Sequence, residues 1–152
     1  MKLAYAILAE AAYHSTEEGL TIIGGEKNSF SVKEFPGTTS RLAMVVKLVG
    51  EEENLCETLI RIELIDFSKK ILAVLLEQSI RLPEQPSAII PSSVSVYLVG
   101  QLNGAVFPEP GEYRISLFLN GNRVDTIQFW AIPFGDRRKS ELGMPQLEIS
   151  HE

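Results

Sequence analysis

Thr58-Leu59-Ile60-Arg61-Ile62-Glu63-Leu64-Ile65-Asp66 sorts its side chains by twos. Ile60, Ile62 and Leu64 fall on one side of an extended chain, and Leu59, Arg61, Glu63 and Ile65 fall on the other. Side chains alternate across a strand, so this run predicts a β-strand with one face in a core. Working outward, Phe67-Ser68-Lys69-Lys70 reads as a turn and Ile71 to Ile80 as a second strand. On the other side, Gly50-Glu51-Glu52-Glu53-Asn54 is a charged turn preceded by a strand over Arg41 to Val49.

The same alternation recurs along the chain. Leu20-Thr21-Ile22-Ile23 is a short β-branched run closed by Gly24-Gly25, and the loop after it holds Pro36-Gly37. Pro83, Pro86 and Pro91 bracket a loop, because proline cannot donate to a central ladder. Val94, Val96 and Leu98 alternate with Ser93, Ser95 and Tyr97. Leu3 to His14 suits a helix by its alanines and a strand by the alternation of Leu3, Tyr5, Ile7, Ala9, Ala11 and Tyr13. No internal helix pattern stands out. Seven to eight short strands with proline and glycine turns predict an all-β, antiparallel β-sandwich over residues 1–133, with a barrel as the alternative. From Phe134 onward the residues are mostly polar, which predicts a partly disordered tail over 134–152.

Side chains also register the last hairpin. Pro108-Glu109-Pro110-Gly111 breaks the chain before Tyr113, Ile115, Leu117 and Leu119, and Asn120-Gly121-Asn122 turns it into Val124 to Ile132. A three-residue loop sets Ile115 opposite Ile127 and Tyr113 opposite Phe129, with both pairs facing the core. A two-residue Asn-Gly loop sets Ile115 opposite Thr126, and a one-residue slip exchanges the buried and exposed sets. The odd loop is therefore expected. Its outer face carries Arg114, Phe118, Val124, Gln128 and Trp130.

Composition bounds the function. The chain has 152 residues and 16.9 kDa, the size of one domain. Lys and Arg number 14 against 20 Asp and Glu, a net charge of −6. Affinity for nucleic acid is mostly phosphate neutralisation, so this balance argues against DNA or RNA as a partner. Cys56 is the only cysteine, which excludes an intramolecular disulfide and fits a reducing cytosol. No apolar run reaches the ~20 residues that span a bilayer. Leu3 to Ala9 is short for a signal peptide, and Glu10 sits where a cleavage site wants no charge. A cytoplasmic protein that contacts no membrane is expected.

The ending Phe107-Pro108-Glu109-Pro110-Gly111-Glu112-Tyr113-Arg114-Ile115, followed by Asn120-Gly121 and Ile127-Gln128-Phe129, resembles the close of many immunoglobulin-like sandwiches. There a tyrosine opening the penultimate strand forms a tyrosine corner. Tyr113 matches it, and Gly111 precedes it. The segment order is also similar to that of an uncharacterised bacterial family of unknown function. The matching segments are Leu8-Ala9-Glu10-Ala11-Ala12, then Thr21-Ile22-Ile23-Gly24-Gly25, then Pro36, then the Pro-Gly-x-Tyr close. The resemblance spans Ala4 to about Ile132. It implies an immunoglobulin-like β-sandwich and makes the first segment a strand. It implies no activity, cofactor or catalytic residue. The Cys…Trp…Cys core of antibody domains is absent.

Catalytic and metal chemistry find little to use. His14 and His151 are the only histidines, so a Ser-His-Asp or Cys-His arrangement would have to use His14, at a strand end beside Ser15. Cys56 follows Glu51, Glu52 and Glu53 and precedes Glu57. Neighbouring carboxylates raise a thiol's pKa and suppress its nucleophilicity. Zinc needs Cys and His at short spacing. Calcium needs clustered loop carboxylates, and the only aspartates are Asp66, Asp125 and Asp136. Gly100-Gln101-Leu102-Asn103-Gly104 lacks the lysine and spacing of a phosphate loop. Arg137-Arg138-Lys139 reads as a solvated linker. The expectation is no enzyme, no metal and no cofactor.

Two features suggest docking instead. Three strands are apolar on both faces, whereas a solvated antiparallel sheet shows a polar outer face. If Leu42, Met44, Val46 and Leu48 point inward, Ala43, Val45 and Val49 point outward. If Leu72, Val74 and Leu76 point inward, Ile71, Ala73 and Leu75 point outward. If Leu3, Tyr5 and Ile7 point inward, Ala4, Ala6 and Leu8 point outward. Contiguous exposed apolar surface marks interfaces, unless a loop or the tail covers it. The second feature is Phe118 and Trp130 on the outer face of the last hairpin, with Arg114 near enough to stack; Tyr97 is placed on the other sheet. Exposed aromatics serve as protein hot spots or sugar platforms, or else the tail packs on them, with Phe134, Leu142 or Met144 folding back over Trp130. A non-catalytic interaction or assembly module is expected, with a protein partner or a homo-oligomer through a sheet face or edge strand. A carbohydrate- or small-ligand-binding sandwich is the alternative.

Overall fold

A computed structural model describes residues 1–39, 41–51, 57–81, 93–102 and 104–135. The described residues form β-strands and no helix. Two main sheets share one apolar core. The first sheet runs β1 (Lys2–Ala9), β6 (Ala43–Glu51) and β9 (Ser93–Gln101), in that order. The second runs β4 (Ser29–Val32), β12 (Asn122–Pro133), β11 (Gly111–Leu119), β7 (Thr58–Asp66) and β8 (Ile71–Ile80). Two smaller pairs accompany them: β2 (Ala11–Ser15) with β3 (Gly19–Ile23), and β5 (Gly37–Thr38) with β10 (Val106–Phe107).

The period-two reading places the core correctly where the chain is regular. Ile60, Ile62 and Leu64 of β7 are buried beside Tyr113, Ile115, Leu117 and Leu119 of β11. Leu8, Met44, Val46 and Leu48 meet them from the first sheet. Phe107 fills one end, edge-on to Tyr113 and Phe129 with ring centroids 5.0 and 5.9 Å away.

The last hairpin has the expected register by a different route. Ile115 opposes Ile127 and Tyr113 opposes Phe129, and Ile127 packs against the core. The loop, however, has two residues. Asn120 and Gly121 take φ of 49° and 79°, the left-handed pair that matches the twist of a two-residue hairpin. Register slips between Leu117 and Phe118, where Val124 is the extra residue. One bulge thus restores the core pairing that a tight turn alone would lose. Asn120 also ties the turn to β7: its N–H donates to the Leu59 carbonyl at 2.8 Å, and its Oδ1 accepts from the Leu59 N–H at 2.9 Å.

Other expectations are corrected. Twelve strands are described rather than seven or eight, and the second sheet is mixed because β4 runs parallel to β12. Ser29-Phe30-Ser31-Val32, a loop by its sequence pattern, is a strand that buries Phe30 and Val32. A bulge at Ala4, between Leu3 and Tyr5, inverts the facing of β1. Ala6 and Leu8 therefore turn inward, and Tyr5 and Ile7 turn outward. Bulges at Leu72 and Leu75 do the same to β8. Ala73 and Leu75 pack against the core, and Val74 faces solvent. The segment Leu3 to His14 is two strands that part at Glu10. Cys56, most of the acidic turn, Pro83, Pro86, Pro91, Asn103 and the tail from Asp136, with Arg137-Arg138-Lys139 and His151, lie outside the described residues.

The β2–β3 hairpin lies across the outer face of the first sheet, against β9 and β6. Its root is fastened at Glu10, whose N–H donates to the Ile23 and Gly24 carbonyls at 3.0 and 3.3 Å and whose carboxylate pairs with Lys27. Gly24 has φ of 59°, and a Cβ there would sit 2.8 Å from Glu10 Cγ. Gly24→Ala meets a left-handed backbone, about 1–2 kcal/mol, plus that clash. We expect at least this loss in urea denaturation. We also expect faster amide exchange over Ala11–Ile23 while Ile115 and Phe129 stay protected.

Tyr113 makes a second tether, near the start of β11. Its hydroxyl donates to the Glu109 carbonyl at 2.6 Å and accepts from the Glu109 N–H at 3.3 Å. Tyr113→Phe leaves that carbonyl without this donor, and we expect a loss of about 1–2 kcal/mol with an unchanged denaturant slope. Burial also pushes the phenol's pKa up, so the folded state holds this proton more tightly than the unfolded chain does. That contribution is full below about pH 10 and fades as pH rises further. The gap between wild type and Tyr113→Phe should therefore narrow in denaturation curves measured above about pH 10.

Candidate interaction surface

The two main sheets differ in what covers their outer faces. On the first sheet, Ala43 and Val45 were expected to point to solvent, and they are 0% exposed. The β2–β3 hairpin covers them, so they do not belong to an open surface. Val49 is half-buried. The apolar outer face of this sheet is explained within the chain.

The second sheet is different. Among the described residues, no strand crosses its outer face. Register places Trp130 beside Glu112, Gln128 beside Arg114, Ile65 beside Ile71, Glu63 beside Val74, and Phe118 beside Arg61. Trp130, Ile71 and Val74 are 48%, 50% and 45% exposed. Phe118 is half-buried. The structure thus brings Ile71, Phe118 and Trp130, each expected to point outward on its own strand, onto one face. Ala73 and Leu75 are not there, because the bulges of β8 turn them toward the core. Val74 takes their place; alternation alone could not find it, because the bulge that exposes it has no local sequence signature.

Much of the charge on this face is paired within the sheet, while Arg123, beside Phe118 in register, is exposed. Arg61 bonds Glu63 at 2.7 Å and Glu77 at 2.8 Å. The Glu63 hydrogen bond heads the causes that raise the Arg61 pKa. Arg114, expected near the aromatics, is held by the Glu112 carboxylate at 2.7 and 3.0 Å. Ser116 faces Thr126 at 3.4 Å between hydroxyls. At the turn from β7 to β8, the Ser68 hydroxyl and the Lys70 N–H donate to the Asp66 carboxylate, at 2.6 and 2.9 Å. These bonds, the first above all, lower the pKa of Asp66.

Gly111 opens β11 opposite Ala131, and Tyr113 follows in the core. His14 is exposed at the end of β2 and stacks on Tyr97 at 5.5 Å. Tyr97 lies on the first sheet, as expected, with the Lys47 ammonium 5.4 Å from its ring centre. No group of three or more His, Cys, Asp or Glu among the described residues could hold a metal. No described helix is long and apolar enough to cross a membrane.

No curated protein matches the sequence. One solved structure, the Pseudomonas fluorescens alkylpurine DNA glycosylase AlkC bound to DNA containing an abasic site analog, is similar over 86% of this chain at 9% identity and a TM-score of 0.46. This chain spans 30% of that one. A likeness at that level carries neither fold nor activity across. A sequence family described as a family of unknown function, DUF6941, matches residues 4–131. The match takes in every described strand core and the Pro-Gly-x-Tyr close, and the chain belongs to that family.

Proposed function

We propose that this protein is a non-catalytic assembly module, an immunoglobulin-like β-sandwich that binds a second copy of itself through the outer face of the β4-β12-β11-β7-β8 sheet. The tyrosine corner at Tyr113, with its hydroxyl on the Glu109 carbonyl, supports the immunoglobulin-like assignment. A single cysteine supports a cytosolic setting.

The observation that carries the docking reading is the contrast between the two outer faces. A whole hairpin covers one, and among the described residues no strand covers Trp130, Ile71 and Val74 on the other. Charge favours a second copy as the occupant. A two-fold interface sets one patch against itself, so a patch of single sign would repel. Here Arg61 and Arg114 are already paired with Glu63, Glu77 and Glu112. A second copy therefore meets two arginines whose charge is already offset, with Arg123 beside Phe118 as a remaining cation. Association through the face is preferred to strand addition at β8, because the bulges at Leu72 and Leu75 interrupt that edge.

Light scattering on the eluting protein at tens of micromolar is expected to give twice the chain mass of 16.9 kDa. Trp130→Ala with Val74→Arg should return it to a monomer with its melting temperature little changed, because both residues are exposed. A monomeric wild type, or a double variant that stays dimeric, contradicts the proposal. Glycan-array binding that Trp130→Ala abolishes, in a monomeric wild type, would move the assignment to a carbohydrate-binding sandwich.

A further inference from the structure

The outer face of the first sheet carries side chains that the docking reading does not use. Tyr5, Lys47 and Tyr97 lie in one register row across β1, β6 and β9. Directly opposed residues hold their Cβ atoms about 4.5–5.5 Å apart. The bulge at Ala4 turns Tyr5 outward into this row; regular alternation from Leu3 would aim it at the core. His14, from the covering hairpin, stacks on Tyr97 with rings inclined by 22°. Four strands therefore converge on one row, from positions 5, 14, 47 and 97.

Lys47 is the chemical centre of the row. Its residue is half-buried and its ammonium lies 5.4 Å from the Tyr97 ring centre. Among the described residues it makes no ion pair, whereas Arg61 and Arg114 both have carboxylate partners. A ring face offsets part of an ammonium's lost hydration. The ring carries no net charge, however, and it leaves N–H donors free for an acceptor. Tyr5 and His14 are exposed at either end, so a ligand can reach the row without displacing the hairpin.

We propose that this row binds a small ligand bearing an oxyanion on a flat ring, with the anion on Lys47 and the ring against Tyr5. Lysine is a compact point charge suited to carboxylate or phosphate, and an aromatic face takes a second ring in offset stacking. Tyr97, itself stacked on His14, holds the ammonium from the other side. The site lies on the opposite sheet from the proposed dimer face and stands or falls independently of it.

The test is amide chemical-shift titration of the full-length protein with phenyl phosphate and with benzoate, and with inorganic phosphate as the bare anion. Saturable shifts at Tyr5, Lys47 and Tyr97 are expected with at least one aromatic anion, and the tighter of the two identifies the anionic group. Inorganic phosphate should bind several-fold more weakly. Lys47→Met, which keeps the stem, should weaken binding about tenfold or more, and Lys47→Arg should largely restore it. No saturable shift with either aromatic anion, bare phosphate binding equally well, or an undiminished Lys47→Met overturns the proposal. Trp130→Ala should leave this binding intact, so failure of the dimer and failure of the anion site read out separately.

Discussion

A sheet has two faces, and each must be buried, covered or made compatible with water. That constraint orders this molecule. β11 pairs with β12 on one side and β7 on the other, and its Tyr113, Ile115, Leu117 and Leu119 point into the shared core. Full burial of one such side chain is worth about 1.5–3 kcal/mol, so the phase of β11 fixes the phase of its neighbours. The remaining architecture concerns the two faces that the core does not use.

They are treated in opposite ways. The first sheet has Ala43 and Val45 on its outer face, and the β2–β3 hairpin seals them. A two-stranded hairpin is marginal alone. Its place on the sheet is held at Glu10, Lys27 and Gly24, and by the stacking of His14 on Tyr97. The second sheet mixes internally paired charges with exposed Trp130, Ile71 and Val74 on its outer face. Intramolecular ion pairs and isolated apolar side chains suit a surface that is wet in one state and covered in another.

Much of this was legible in the sequence, and the failures share a cause. Thr58 to Asp66 and the Tyr113–Phe129 pairing came from alternation, because those stretches are regular and face one core. Ala4, Leu72, Leu75 and Val124 each insert one residue into a ladder, and each insertion inverts the facing of the residues beyond it. A bulge is set by the partner strand, so local pattern could not reveal it. The parallel seat of β4 against β12 joins segments about a hundred residues apart and was equally hidden. Of the candidate surface residues, Ile71, Phe118 and Trp130 each point outward as alternation gives, but that their strands share one sheet came only from the strand order. Ala43 and Val45 were misplaced because a fold-back hairpin cannot be read from the strand that it covers. The row of Tyr5, Lys47 and Tyr97 needed both the bulge and the strand order.

Trp130 is the chain's single tryptophan, so its fluorescence reports on the open face alone. The most direct measurement is its emission maximum across a dilution series of the full-length protein. Association through this face should give a water-like maximum at the lowest concentration that shifts to the blue as concentration rises through the association range. An emission maximum that stays the same from nanomolar to high micromolar would contradict it.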